Sequence, residues 1–362
     1  MIEIQPDIQF IRQIRKDSGI NLSQCMQCGA CTSVCKLAET SLPFPRKEMI
    51  WAAWGLKDRL LADPNIWICH QCGDCTATCP RGVKPGDVLA SLRKEHYYYY
   101  ARPKILAKII QNPFFLPLII LIPVLITGFI IYVAGTLRMP EGEVNYSIFF
   151  PHLPLNISFT TFFILGVIGI ILSIRNFWKK ILEAQTGSEL KKPVIISFME
   201  VITELFLHKK FRQCKAQKHR YYSHLLVFWG FVLLLVVTFF AILSTLFFAY
   251  PLPFFNPVKI AGNIGGLAFV TGCTIMIVKR IFQQKIYKST YLDWVFLITL
   301  FLLGITGFIV ELARFQNWAS SYLLYFIHLI LVWMVILYLP YTKFAHFIFR
   351  IVALTFSKSY RP

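Results

Sequence analysis

The sequence is short of charge. Only 15% of its 362 residues are Asp, Glu, Lys or Arg, and the acids number just 18. Soluble domains carry about a quarter charged residues, so an all-soluble globular protein is excluded, as is a charge-rich disordered chain. An apolar stretch is missing from the first twenty residues, which instead hold Arg12, Arg15 and Lys16; no secretory signal is read there. The chain has no Gly-rich nucleotide fingerprint, no nucleic-acid motif and little strand signal. What it has in excess is apolar: 56% of residues are hydrophobic and 33 are Phe.

Cysteine is clustered. Eight of the ten Cys lie within the first 79 residues, and Cys214 and Cys273 stand apart as unliganded thiols. An N-terminus without a signal is expected in the cytoplasm, where disulfides are disfavoured, so the clustered thiols should bind metal. Two segments repeat each other: Cys25-Met-Gln-Cys28-Gly-Ala-Cys31-Thr-Ser-Val-Cys35 and Cys69-His-Gln-Cys72-Gly-Asp-Cys75-Thr-Ala-Thr-Cys79. Pro80 closes the second and Lys36 follows the first. Zinc favours two separated C-x₂-C pairs; two compact runs of C-x₂-C-x₂-C-x₃-C fit two [4Fe–4S] clusters better. In two-cluster ferredoxins the fourth Cys serves the other cluster. One cluster is therefore expected on Cys25, Cys28, Cys31 and Cys79, the other on Cys69, Cys72, Cys75 and Cys35. Residues 49–62 and 86–96 read as short helices, and a region this small needs metal to be stable.

Composition changes near residue 100. Long apolar runs follow at about 114–134, 157–176, 223–249, 258–278, 292–312 and 321–345. Each is long enough to cross the hydrocarbon layer. Tyr97 to Tyr100, followed by Arg102 and Lys104, suits a headgroup anchor or a plain linker. Lys and Arg number eleven over 175–220, four over 279–288 and four over 343–361, against Arg138, Lys259 and Arg314 in the opposite loops. That asymmetry places both termini and the Cys-rich region on the cytoplasmic side and accounts for most of the +19 net charge.

Ionisable residues in spans are costly and mark function. His224 begins the third span and His346 ends the sixth, so both lie at the inner edge. Two imidazoles from facing helices at one depth form a bis-histidine haem b site. His328, 18 residues before His346, is expected on the same helix face and near the outer leaflet, with Pro340 as a kink between them. Leu234 occupies the place where its partner would stand, leaving His152 or a Met. His328 is otherwise suited to a quinone carbonyl. Lys259 suits a quinone or a propionate, or simply snorkels. Gly262, Gly265 and Gly266 would admit a close helix or a flat ligand.

These residues carry a resemblance. The cysteine repeat resembles the C subunit of heterodisulfide reductase. Ser223-His224-Leu-Leu-Val-Phe-Trp-Gly230, and Ile327-His328-Leu with Leu339-Pro340-Tyr-Thr-Lys343-Phe-Ala-His346, resemble the gamma-subunit family of respiratory nitrate reductase. The order of the two parts is similar to the C subunit of quinone-interacting membrane-bound oxidoreductase complexes. The resemblance implies flavin-containing A and B subunits as partners. It implies menaquinone as substrate and electron exchange with adenylylsulfate reductase. It also implies two haems, the inner on His224 and His346 and the outer involving His328.

The expectation is thus an all-α protein. Residues 1–100 form an α-helical two-cluster ferredoxin-like domain, 101–113 an interfacial linker, 114–350 a six-helix transmembrane cytochrome b bundle, and 351–362 a cytoplasmic tail. It would be a subunit of a quinone-dependent oxidoreductase in the inner membrane, incomplete as a catalyst alone. One haem b is expected, with a second if His328 finds a partner. The competing function is an iron–sulfur sensor or adaptor without quinone chemistry. A transporter is disfavoured because the spans hold almost no carboxylates, Glu311 lying near an outer end.

Overall fold

The computed structural model describes residues 5–38, 43–136, 140, 142–185, 189–207, 218–247, 252–282 and 288–360. Among them all regular structure is helical. Cys214, His208, Arg138, Arg361 and the basic residues 209, 210, 212, 215 and 285 lie outside the described residues.

The Cys-rich region is built from short helices. Asp7 caps Ile8–Ser18 by accepting from the Phe10 N–H at 2.8 Å, and Gly19 ends that helix in the left-handed conformation. Phe10 and Ile14, one turn apart, turn inward and meet Met49, Leu60, Val88 and Leu92. Cys25, Cys35, Cys69 and Cys79 pack on the edge of this small core.

The Pro85–Tyr100 helix runs four residues past the expected end. The reason is its tyrosines. Tyr97 and Tyr100, three apart, are buried, and Tyr100 donates to the Leu61 carbonyl at 2.6 Å. They join Trp67, Phe177 and Phe349 in one aromatic core, in which Trp67 stacks on Phe349 with centroids 4.8 Å apart. Half of the tyrosine run is therefore neither anchor nor linker. It seats the Cys-rich region on the bundle.

Five helices are long and apolar enough to cross a membrane: Pro113–Val133, His152–Ala184, Arg220–Thr245, Pro257–Phe282 and Tyr291–Phe315. Their outward side chains, such as Phe129, Phe239 and Leu267, are large and apolar, as a lipid-facing surface requires. The sixth apolar run differs from expectation. Its helix, Ser321–Leu337, has 17 residues and ends before Pro340. Two 3₁₀ turns follow, Leu339–Tyr341 and Lys343–Ala345, and a new helix starts at His346. Proline lacks the N–H that would continue the α-helix and clashes with the preceding turn. The expectation of one helix presenting His328 and His346 on a single face is corrected accordingly. The 177–222 segment is also not all loop: the second long helix continues to Ala184, and Val194–Phe206 is an amphipathic helix packed on His346–Tyr360.

The Lys218–Phe247 and Pro257–Phe282 helices approach backbone to backbone. A Cβ on Gly230 would lie 2.7 Å from the Phe269 nitrogen and 2.8 Å from the Gly265 carbonyl. Of the small residues noted in the fourth span, Gly265 receives Leu233 and Gly266 receives the Phe308 ring. Helix packing thus fills the space at these glycines. Cys273 is fully buried beside them, against Phe269 and Leu300.

Candidate iron–sulfur and histidine sites

The repeat in sequence is a repeat in backbone. Gln27 and Gln71 take φ of 56° and 53°, and Gly29 and Gly73 take 82° and 88°. Left-handed glutamines are uncommon, and the same pair of conformations in both motifs turns successive N–H groups toward one side. Such concave runs of N–H groups suit anionic sulfide. Each motif then enters a one-turn helix, Ala30–Ser33 or Asp74–Ala77, and the two helices pack together. The Gln71 N–H donates to the Cys69 sulfur at 3.2 Å, and the Gln27 amide to the Cys25 sulfur at 3.4 Å.

The thiols group across the motifs. Cys25, Cys28 and Cys31 line one hollow together with Cys79, and Gly29 and Pro80 complete its wall. Cys35 lies with the other three. Burial, with Cys69 and Cys72 close by, pushes the Cys35 thiol up to about 11 against the bond from the Leu37 N–H. Burial and then Cys69, Cys72 and Cys35 raise the Cys75 thiol further. Thiols this costly to ionise become thiolates when metal charge compensates them. Among the described residues no group of three or more His, Cys, Asp or Glu is placed to hold one metal ion. The first thiol set instead surrounds a hollow, as a multi-atom cluster requires.

His224 and His346 face each other with ring centroids 6.5 Å apart and planes at 90°. Metal–imidazole bonds are about 2.0–2.1 Å and a ring centre lies about 1 Å behind its nitrogen, so two imidazoles on one metal have centroids about 6 Å apart. The pair therefore fits a single metal between them. The Lys343 carbonyl, 2.5 Å from Nδ1 of His346, can only accept. Nδ1 carries the proton, which leaves the Nε2 lone pair for a metal. The 3₁₀ turn after Pro340 creates this contact, because it brings the carbonyl of residue 343 back over residue 346. Asp293 pairs with Lys343 and lies 3.8 Å from Arg280, and it also caps Tyr291–Phe315 through Thr290.

The remaining candidates have other neighbours. His328 Nδ1 is 2.9 Å from the Thr306 hydroxyl, which is itself 2.8 Å from the Leu302 carbonyl. A Cβ on Gly307 would meet the His328 ring at 3.6 Å. Leu234 packs in the apolar cluster around Phe269. Lys259 pairs with Glu311 at 3.1 Å and lies over the Phe315 ring. His152 opens the second long helix.

Sequence reasoning missed the groups that tie the cysteine loop to the bundle. Arg350 donates to the carbonyls of Trp67 at 3.1 Å and Cys69 at 3.3 Å, and its other nitrogen lies 3.0 Å from Nδ1 of His70. Arg220 donates to the Gln71 carbonyl. In the sequence these arginines read only as part of the basic excess. The available signal was their offset: Arg220 is four residues before His224 and Arg350 four after His346, one helical turn in each case.

Comparison with known proteins divides the chain in the same place. Residues 21–83 match a 4Fe-4S dicluster domain. Over 86 residues, 23% of the chain, they are 43% identical to a protein of Archaeoglobus profundus that is like the C subunit of heterodisulfide reductase, covering 46% of it. Over 90 residues, 25% of the chain, they are 38% identical to the C subunit of the H(2):CoB-CoM heterodisulfide,ferredoxin reductase of Methanothermobacter marburgensis, covering 48% of it. The chain thus spans about half the length of these relatives. Citrate utilization protein B of Escherichia coli is 23% identical over 278 residues, 74% of the chain and 72% of that protein. No solved structure matches. The match that covers most of the chain runs over residues 122–360, and by it the chain belongs to the citrate utilization protein B family.

Proposed function

We propose that this chain is a membrane electron-transfer subunit linking the menaquinone pool, through haem b and two [4Fe–4S] clusters, to soluble flavin-containing partners. The observation that carries the reading is the perpendicular imidazole pair at 6.5 Å, placed one helical turn from the arginines that hold the second cysteine loop. Haem supplies one-electron chemistry when bound, and the clusters supply a path away from it. The chain's own residues bind and orient. His224 and His346 offer Nε2 from two helices, with the Lys343 carbonyl fixing the tautomer of His346. Cys25, Cys28, Cys31 and Cys79 hold one cluster, and Cys69, Cys72, Cys75 and Cys35 the other. His328, backed by Thr306, suits a quinone carbonyl, whereas Lys259 is engaged with Glu311.

In this reading residues 1–100 are the ferredoxin-like domain, 101–113 a linker at the interface, 114–350 a six-span bundle and 351–362 a tail. The bundle lies in the inner membrane with both termini cytoplasmic, in keeping with the lysine and arginine asymmetry. The likeness of Ser223–Gly230 and Ile327–His346 to the nitrate reductase gamma-subunit family supports the haem. The likeness of the cysteine repeat to heterodisulfide reductase supports A and B partners that carry flavin, with electrons exchanged with adenylylsulfate reductase.

The first test is haem and iron content of the purified chain, by pyridine haemochrome and total iron. About nine irons with one haem is the expected result, eight of them in two cubanes. About ten irons with two haems would make His328 a ligand. No haem, in protein that keeps its clusters, would overturn the quinone path and favour the sensor.

A further inference from the structure

The two cysteine motifs share spacing and backbone but not surroundings. Three guanidiniums converge on residues 66–71. Arg93, from the Pro85–Tyr100 helix, donates to the Ile66 carbonyl at 3.1 Å, the Cys69 carbonyl at 3.4 Å and the Gln71 side chain at 3.2 Å. Arg350 and Arg220 add the bonds described above, so the Cys69 carbonyl receives two guanidiniums. Among the described residues, the corresponding segment 25–28 receives no guanidinium hydrogen bond, and Cys28 is exposed. Its nearest equivalent is Arg46, whose side chain stops 3.8 Å from where a Gly29 Cβ would stand.

The placement is specific. Positions four apart share a helix face. Each helix that carries an imidazole of the pair therefore also carries, on that face, a cation reaching the same loop. Arginine stays charged at every working pH and binds through a rigid fork. A reduced cluster carries one more negative charge than an oxidised one, so fixed cations beside it favour reduction. Cluster potentials respond to local charge and to hydrogen bonds around the sulfur ligands. The fork also fixes the distance between the loop and the histidines, and electron transfer weakens steeply with distance.

We propose that Arg220 and Arg350 are positioning residues that clamp the Cys69–Cys72 loop onto the histidine pair and raise the reduction potential of the cluster held by that loop above the value it would have without them. This rests on the haem and cluster assignments above. The clamp makes twin motifs unequal, with the cluster of Cys35, Cys69, Cys72 and Cys75 first in line from the bundle and the one at Cys28 facing outward.

The test is an EPR-monitored redox titration of the full-length chain in detergent or nanodiscs, with iron and haem content measured on each sample. Arg350→Gln should move one cluster midpoint to a more negative value and leave the other in place. Arg220→Gln should move the same one, and the double variant should move it furthest. Arg350→Lys keeps the charge but not the fork, so it should restore part of the shift; a simple packing role would not be rescued this way. If Arg350→Gln loses iron, Arg220→Gln and Arg350→Lys carry the measurement. Clusters that ignore all these substitutions at full iron and haem content, or that shift equally, would overturn the inference alone. Wild-type protein with clusters and no haem would overturn the proposed function instead.

Discussion

At one end of the bundle two imidazoles face each other 6.5 Å apart, and arginines one turn away reach into a cysteine loop. At the other end His328 faces a threonine hydroxyl, and Lys259 is neutralised by Glu311. Both ends hold histidine on apolar helices, yet only one end pairs it. The pairing comes from connection to a second domain. The near end is fixed by aromatic stacking and by hydrogen bonds from Arg93, Arg220 and Arg350, so two rings can be held at a metal-sized separation. The far end closes its polar groups locally, through helix carbonyls and one ion pair. Function built on a preset geometry belongs at the first end, and capture of a mobile ligand suits the second.

The largest effect should come from breaking the pair. His224→Ala or His346→Ala should abolish the haem seen by pyridine haemochrome while both cluster signals persist, because the thiols stand on separate helices. His328→Ala should leave haem at one per chain. Full haem in both near-end variants would sink the assignment, and loss of haem in His328→Ala would erase the difference between the ends.

The near end should also respond to acid. His96 is buried in the aromatic seat: the Trp67 indole N–H donates to its Nδ1 at 2.9 Å, and its Nε2 lies 3.1 Å from the Leu60 carbonyl. Nδ1 must accept and Nε2 must donate, so the ring is neutral. Burial lowers it from 6.5 to about 4. A histidine held neutral gives stability that is complete above its unfolded value and is lost as pH falls from 6.5 through 4. Denaturation of the Cys-rich region should therefore become easier by about 2 kcal/mol between pH 7 and pH 5. His96→Gln should be less stable at pH 7 and nearly flat over the same range. An equal slope in that variant would place the acid sensitivity elsewhere.

What was legible in the sequence follows the range of each interaction. The cysteine repeat is local, and its spacing carries both motifs; even the glutamine before each second Cys, which takes the left-handed conformation, stands in both. The six apolar runs were visible because lipid demands them. The course of the chain past Pro340 was not. Proline signals a break, but whether the helix kinks or restarts depends on what receives the freed residues, here Asp293 beneath Lys343. The burial of Tyr97 and Tyr100 depends on Trp67, Phe177 and Phe349, the last about 250 residues downstream. The arginine clamp was hidden for the same reason: a guanidinium that docks on a carbonyl looks, in sequence, like any basic residue near a membrane edge.

The smallest expected effect lies at the far end. The Thr306 hydroxyl is one turn from the Leu302 carbonyl and donates to it, so it accepts from Nδ1–H of His328 and leaves Nε2 to face a ligand. Thr306→Val keeps the shape and removes the acceptor. The ring then loses its orienting bond, a change worth about 1 kcal/mol, or roughly five- to tenfold in affinity. Menaquinone-analogue binding, read by quenching or by the KM for quinol, should weaken by that factor, with haem content and both cluster midpoints unchanged. His328→Gln should weaken it more. The same substitutions leave the near end untouched because its tautomer is set by Lys343, on a separate segment beyond the break at Pro340. If Thr306→Val instead altered the haem spectrum and left quinone binding intact, His328 would belong to the electron path, and the two ends of the bundle would be one system.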